Sequence, residues 1–310
     1  MTDTTIIPGV DQTTPTQLLP TDARMGAVHI AVTDGERAKI FWTQVVGLTL
    51  LAEDGDTIRL GAGDRELVVL HPGATGPVMP GRTGLYHLAL HLPARKDLAI
   101  VTARLFALRV PNSPTDHTVT ETTYLSDPDR NGIELAFETP DRGEFVIVNG
   151  RYMARLADGT VREGNAAVDL NSLFGELSDT DDLAAPMPAG TRIGHVHLHV
   201  SDLAAADDFY RNLIGFAPFM SMPSIQMADY SLATTPVPHA LALNTWQGRG
   251  APPAPEGVAG LRRFTIEVPA AADIETIAAR LTGASWAFER LDDGIRVLDP
   301  ARNALHIVGA

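Results

Sequence analysis

The chain has 310 residues, of which 45% are apolar, and it can therefore bury two hydrophobic cores of ordinary size. Its formal net charge of −14 argues against nucleic acid as a partner, because no basic patch stands out that could hold a polyphosphate. The chain contains no cysteine, which excludes disulfides, thiolate nucleophiles and Cys-ligated metal sites. Any metal must therefore be bound by His, Asp or Glu.

Residues 1–23 form a polar arm that is punctuated by prolines. The arm carries Asp3 and a Thr/Pro-rich run where a secretory signal has a basic region followed by an apolar one. No apolar stretch approaches the roughly 18 residues that a membrane span requires. The sequence therefore predicts a cytoplasmic location and no membrane partner.

An internal repeat organises the rest of the chain. Residues 26–32 and 194–200 both have the period of two that predicts a β-strand. Each is followed by a helical pattern that stops at a glycine, Gly47 or Gly215. These segments are two copies of one strand-helix opening.

A second pair of repeats begins at residues 84–90 and 260–266. Each copy continues through a predicted helix, 96–108 or 272–281, and closes in a strand-turn-strand. Both closing turns have the sequence Asp-Pro-x-Arg-Asn. The chain therefore contains four βαβββ-like modules, which predicts an α+β fold.

The modules divide the chain into two halves. Modules one and two cover residues 24–140, and modules three and four cover residues 191–310. Residues 141–190 are acidic, and we expect a loop-rich linker there with one short helix near residues 171–177.

Module two carries a dense group of polar residues. Residues 127–132 are rich in turn formers, which predicts a tight hairpin that places Tyr124 opposite Glu134. His117 lies seven residues before Tyr124.

This pattern resembles the signature of the type I extradiol ring-cleaving dioxygenases in the vicinal-oxygen-chelate (glyoxalase/bleomycin-resistance) superfamily. In that signature a His is followed by a Tyr, then by Asp-Pro, then by a metal-binding Glu. The resemblance extends over all four modules and is strongest to two-domain catechol 2,3-dioxygenases. Thr123 stands where the family prefers an apolar residue, and Arg130 where it prefers Gly or Pro. The matching residues are His117, Tyr124, Asp127, Pro128 and Glu134.

The resemblance implies two tandem glyoxalase-like domains whose mixed sheets form half-barrels. It also implies that metal ligands come from the first and last strands of paired modules. If module two pairs with module three, His87, His195 and Glu134 converge as the two imidazoles and one carboxylate of a non-haem Fe(II) site, with Mn(II) as the alternative metal. The complementary pairing of modules one and four joins Ala27, Arg263 and His306, a set that has lost its metal.

Three further residues match groups that lie beside the metal in the family. His239 takes the place of the acid/base histidine that acts on the substrate. Tyr124 would donate a hydrogen bond to a substrate oxygen, and His117 would hold the pocket and stabilise developing charge.

Several other histidines compete with these assignments. His195, His197 and His199 share one face of a strand, and three imidazoles of one strand cannot all bind one ion. His195 is preferred for its position after Gly194, and His197 is its main rival. For His306, a vestigial role and a second metal site both stay open. The other histidines are interpreted as structural or surface groups: His29, His71, His91 and His199.

The function that the resemblance implies is an Fe(II)-dependent cleavage of a catechol-type diol by O2. Cleavage of a para-diol, a glyoxalase-like lyase or isomerase reaction, and a metal-free binding or resistance function are the alternatives. The ring substituents, the choice of metal and the formation of a homo-oligomer are not readable from the sequence.

Overall fold

The computed structural model describes residues 10, 11, 13, 15, 17–232 and 239–310. Its α-helices are short and few: α1 (Gly35–Ile40), α2 (Arg95–Ala107), α3 (Leu170–Phe174), α4 (Leu203–Asp207) and α5 (Ala271–Gly283). α1 and α4 continue into π-helical segments, Phe41–Val46 and Asp208–Ile214. Single 3-10 turns lie at Pro140–Arg142 and Pro223–Ile225. None of the helices in the described ranges is long and apolar enough to cross a membrane.

Strands make up most of the regular secondary structure in the described residues. In the first half they are β1 (Arg24–Ala31), β2 (Thr49–Asp54), β3 (Thr57–Ala62), β4 (Arg65–His71), β5 (Gly84–His91), β6 (Ser113–Asp116), β7 (Thr120–Ser126) and β8 (Gly132–Glu138). The middle of the chain adds β9 (Gly143–Val148), β10 (Arg151–Leu156), β11 (Val161–Glu163) and β12 (Ala166–Ala167). The second half adds β13 (Arg192–His199), β14 (Ala217–Met222), β15 (Met227–Ser231), β16 (Leu241–Asn244), β17 (Gly260–Val268), β18 (Phe288–Leu291), β19 (Gly294–Leu298) and β20 (Ala304–Gly309).

Two large mixed sheets each combine one module from each half of the chain. The nine-stranded sheet has the order β12-β6-β7-β8-β5-β13-β16-β15-β14 and joins modules two and three through the antiparallel pair β5–β13. The eight-stranded sheet has the order β18-β19-β20-β17-β1-β4-β3-β2 and joins modules one and four through the pair β1–β17. The expected α+β fold and the pairing of module two with module three are confirmed. The domain limits 24–140, 141–190 and 191–310 stay a prediction.

The helices form where apolar residues repeat with the period of a helix. In α5, Ile274, Ile277 and Leu281 lie on one buried face, as the spacing of three to four residues requires. The predicted helices at residues 96–108 and 272–281 are thus found as α2 and α5. The predicted glycine stops are also found: Gly47 and Gly215 have φ of 101° and 104°, a left-handed backbone that glycine adopts without strain.

The hairpin between β7 and β8 is closed by its aspartate. Asp127 Oδ1 accepts hydrogen bonds from the backbone N–H groups of Asp129 (2.9 Å) and Asn131 (2.8 Å). These bonds tighten the turn so that Tyr124 pairs directly with Glu134 across the two strands, as predicted. Arg130, which departs from the family pattern, has a φ of 70°, where a glycine would be less strained.

The segment 141–190 differs from the loop-rich linker that we expected. The short helix is present as α3, but β9, β10 and β11 form an antiparallel sheet of their own. The apolar run at residues 145–148 and the turn pair Asn149-Gly150 are signals of a hairpin that the expected linker did not take into account. Cross-strand ion pairs, Arg151 with Glu163 (2.8 Å) and Arg155 with Glu144 (2.7 Å), occupy its exposed positions.

Candidate metal centre

Three neighbouring strands of the nine-stranded sheet carry the predicted ligand residues. β8 runs parallel to β5, and β13 runs antiparallel to it on the other side. Ala89 of β5 is paired with Glu134 on one side and with His195 on the other. His87 lies two residues before Ala89 and therefore points to the same face. The small side chain of Ala89 leaves room for the three larger ones to converge.

The ligand atoms form a nearly equilateral triangle. His87 Nε2 and His195 Nε2 are 3.0 Å apart. Glu134 Oε2 lies 3.0 Å from the first and 3.1 Å from the second. Three neighbouring corners of an octahedron around an ion with bonds of about 2.1 Å are separated by about 3.0 Å. The donor set and its spacing therefore fit a facial two-His, one-carboxylate metal site.

The site is buried, and this decides the protonation of its groups. All three side chains are at most 6% exposed. Burial opposes ionisation of Glu134, but the His195 and His87 imidazoles hold the pKa of that carboxyl well below its usual range. Burial also lowers the pKa of the His195 imidazole well below its usual range. A carboxylate beside a neutral imidazole is the state that binds a cation.

Packing sets the orientation of the two imidazoles. Neither His87 Nδ1 nor His195 Nδ1 has a hydrogen-bond partner among the described residues. Instead, the His87 ring packs against Tyr124 (5.4 Å between ring centroids), and the His195 ring packs edge-on against His91 (5.6 Å).

His239 lies beside the candidate ligands. Its ring centroid is 4.3 Å from that of His195, and its Nδ1 lies 3.1 Å from Asp229 Oδ2. Burial disfavours the charged imidazole, but the Asp229 carboxylate overcomes this and raises the pKa of His239. Asp229 is a buried residue of β15 that the sequence analysis did not single out. Its only sequence signal was an acidic residue within an otherwise apolar strand.

His117 and Tyr124 form a hydrogen-bonded pair. His117 Nε2 lies 2.9 Å from the Tyr124 hydroxyl, and His117 Nδ1 lies 2.8 Å from Asn165 Oδ1. Burial and the Glu134 carboxylate raise the pKa of Tyr124 well above its usual range, so it remains a protonated donor. Asn165 comes from the segment that we expected to be a linker, and the sequence did not indicate its role.

The competing histidines have other partners. His197 Nε2 lies 2.7 Å from Asn244 Nδ2, and the Oδ1 of the same amide lies 2.7 Å from His199 Nδ1. His91 Nδ1 lies 2.8 Å from Glu138 Oε1. Within the described residues, the group of side chains that could hold a metal consists of His87, Glu134 and His195. His306 does not belong to that group, and its Nε2 lies 3.1 Å from Asp293 Oδ1.

A pocket of about 210 Å³ opens onto this cluster. His117, Tyr124 and His239 reach it together with the three candidate ligands. Apolar and aromatic side chains from β9, β10, the facing ends of β14 and β15 with their connection, and the loop after β16 form its other wall. These wall residues are Phe145, Tyr152, Met222, Ile225, Met227 and Trp246.

Paired βαβββ modules with inward-pointing candidate ligands at their junction define a protein of the glyoxalase fold. The sequence profile of the glyoxalase/bleomycin resistance protein/dioxygenase superfamily matches residues 24–135. The chain is also 34% identical over 286 residues to the catechol-2,3-dioxygenase of Bacillus subtilis (strain 168), covering 91% of this chain and 96% of the relative. The chain therefore belongs to the glyoxalase/bleomycin resistance/dioxygenase (vicinal-oxygen-chelate) superfamily.

Solved structures show the same fold at low identity. A Bacillus subtilis protein provisionally described as a dioxygenase has a TM-score of 0.60 and 15% identity, covering 92% of this chain and 85% of its own. Maize glyoxalase I has a TM-score of 0.56 and 16% identity, and the match covers 93% of this chain and 92% of the glyoxalase chain. Because their identity is low, these two structures bear on the fold alone.

Proposed function

We propose that the protein is an extradiol dioxygenase that opens the ring of a catechol-type diol with O2, using Fe(II), or alternatively Mn(II), bound by His87, His195 and Glu134. The observation that carries this proposal is the triangle of two imidazole nitrogens and one carboxylate oxygen at the base of a pocket. The name of the Bacillus subtilis relative supports the reaction class. A role in aromatic hydrocarbon catabolism follows from this reaction.

The reaction balances without an external reductant. The carbon–carbon bond beside the diol breaks, and both atoms of O2 enter the product, which carries one carboxylate and one aldehyde. When bound, the metal supplies Lewis acidity toward the diol oxygens and the redox chemistry that O2 requires.

The protein's own groups position the diol and move its proton. Asp229 lies at Nδ1 of His239, which leaves Nε2 to take a proton from a substrate hydroxyl. Tyr124 and His117 also line the pocket. The Tyr124 hydroxyl, which lies 2.9 Å from His117 Nε2, can rotate to donate its hydrogen bond to a substrate oxygen instead. The apolar wall keeps bulk water away from the reacting ring.

The test compares His195 and His197, two histidines of β13 that are separated by one residue. His195→Gln should lose both bound iron and ring cleavage, because it removes one corner of the triangle. His197→Gln should retain iron, because a glutamine can still bond to Asn244. Iron is measured by elemental analysis of anaerobically purified protein, and activity by the visible absorbance of the yellow semialdehyde after catechol is added in air.

The outcomes separate the alternatives. Loss of iron in His197→Gln but not in His195→Gln would contradict the ligand set. A wild-type protein that binds iron and opens only para-diols would be a hydroquinone-type dioxygenase. Metal without ring cleavage would indicate a lyase or isomerase, and a protein that takes up no metal would indicate a binding or resistance function.

A further inference from the structure

Most arginine side chains in the described residues form hydrogen bonds or ion pairs, and those that do not are concentrated around one cavity. Within the described part of the chain, a few arginine side chains make no hydrogen bond or ion pair. All of them except Arg109 line one cavity of about 1430 Å³. One atom of the set, Arg263 Nε, is also shielded from solvent without a partner. These unpaired arginines are Arg82, Arg109, Arg130, Arg262, Arg263 and Arg302.

The cavity extends over the sheet formed by modules one and four. It also reaches Tyr86 and His87 of β5 and Tyr124 of β7, which line the smaller pocket as well, but Glu134, His195 and His239 do not line it. In the repeat, Arg263 follows Gly260 by three residues as His87 follows Gly84, and the two glycines share a positive φ of 136° and 145°. The equivalent positions are Arg263 for His87, His306 for Glu134 and Ala27 for His195. A guanidinium thus stands where the other sheet has a metal-binding imidazole.

The charge of this cavity opposes that of the whole protein. Among the described residues, the carboxylates that line it are those of Glu256 and Glu289, and Glu289 is already paired with Arg296. Burial, and after it the Arg263 guanidinium, lowers the pKa of His29 to about 3 and also lowers that of His71. The two imidazoles are therefore neutral, and the guanidiniums carry the positive charge. Unpaired like charges held together favour an anion between them.

We propose that this cavity is a second ligand site, which binds a small molecule carrying phosphate or carboxylate groups. Guanidinium groups present paired N–H donors that match the oxygens of both anions. The cavity is several times larger than the pocket over the candidate metal centre, so it has room for an organic molecule as well as for its anionic group. Arg262 and Arg263 line it from β17, and Arg130 and Arg302 line it from the two closing turns.

The chain provides a matched control. Arg109, Arg130 and Arg302 all have a left-handed backbone (φ 54°, 70° and 71°) and are exposed and unpaired, but Arg109 does not line the cavity. Asparagine tolerates this backbone, so Arg109→Asn and the double variant Arg130→Asn/Arg302→Asn should fold alike. Arg262→Gln/Arg263→Gln removes the two guanidiniums that β17 contributes to the cavity.

Binding of inorganic phosphate and of citrate to the full chain is measured by isothermal titration calorimetry at constant ionic strength. Wild type and Arg109→Asn should bind one probe saturably, and both double variants should raise its Kd by about tenfold or more. Tighter phosphate binding assigns a phosphorylated ligand, and tighter citrate binding assigns a polycarboxylate. No saturable binding of either probe, or equal Kd values in all folded variants, would overturn the proposal. Circular dichroism identifies which variants are folded.

Discussion

Individual side chains near the candidate metal centre are held by partners that are remote in sequence. Asn165 lies 48 residues from His117 and faces its Nδ1 atom. An amide oxygen there accepts the Nδ1 proton, which leaves Nε2 free to accept a hydrogen bond from Tyr124. We therefore expect Asn165 to act as a positioning residue that selects this tautomer of His117.

Removing that amide should slow the reaction without affecting the metal. We expect Asn165→Leu to lower kcat about tenfold, as changes to such supporting groups do, with iron content unchanged. Asn165→Asp should retain most of the rate, because it keeps an acceptor at Nδ1. Steady-state kinetics on catechol measure both. Asn212→Leu, at an exposed amide that bonds to Asp208, is the control. Equal rates in Asn165→Leu and wild type would contradict this role.

At the scale of elements, the turn between β19 and β20 holds a buried acid. Asp299 accepts hydrogen bonds from the backbone of Ala301 and Asn303 and from the Tyr210 hydroxyl. Burial outweighs these bonds and raises the pKa of Asp299 from 3.8 to about 6. The carboxyl is therefore more easily protonated in the folded protein than in the unfolded chain.

This shift predicts a pH-dependent stability. Because the folded-state pKa is the higher one, the stabilising contribution is complete below pH 3.8 and is lost as the pH rises through about 6. Its size is at most about 3 kcal/mol. The test is urea unfolding of wild type and Asp299→Asn between pH 4 and pH 7. The unfolding free energy of wild type minus that of Asp299→Asn should fall as the pH rises, because only the wild-type carboxyl ionises. A difference that does not change with pH would contradict the assignment.

The small sheet β9–β11 forms one wall of the pocket over the candidate metal centre. Phe145 of β9 packs against Tyr152 of β10 (5.1 Å between centroids), and both line the pocket. A Cβ atom added at Gly164 would collide with the Tyr152 ring, so this wall has little room to move. The pocket volume of about 210 Å³ lies below the roughly 300 Å³ at which ligand pockets usually begin. Single-ring diols are therefore the expected substrates.

Opening this wall should change substrate preference. We expect Phe145→Ala to raise kcat/KM for a two-ring diol relative to catechol by about tenfold, because it removes the side chain that excludes the second ring. Phe106→Ala removes an exposed phenylalanine of α2, away from the pocket, and should leave the ratio unchanged. The measurement is the pair of kcat/KM values for each variant. An unchanged ratio in Phe145→Ala would show that this wall does not limit substrate size.

At the scale of the whole molecule, the candidate site belongs to neither half of the chain. His87 and Glu134 come from the first half, and His195 comes from the second. Separately produced fragments 24–190 and 191–310 should each bind much less than one iron per chain. A mixture of the two fragments should bind one iron per pair. Elemental analysis of each fragment, of the mixture and of the full chain measures this. Stoichiometric iron in a single fragment would contradict a shared site.

Much of the local structure could be predicted because it depends on neighbouring residues. The period of apolar positions predicted α2 and α5, and the Asp-Pro-x-Arg-Asn turns predicted the β7–β8 hairpin. The repeat, together with the family resemblance, predicted that His87, Glu134 and His195 would converge. The sheet β9–β11 was missed because the acidic character of residues 141–190 favoured a loop-rich linker, although residues 145–148 are apolar and Asn149-Gly150 is a pair typical of hairpin turns.

The sequence by itself determined the four modules, the absence of cysteine ligands and the residue types available at the candidate site, because these follow from composition and from short-range periodicity. Only the tertiary structure decided which groups support that site, such as Asp229 and Asn165, and where unpaired arginines gather around Arg263. These arrangements depend on contacts between strands far apart in the chain, whose burial and partners no local pattern contains.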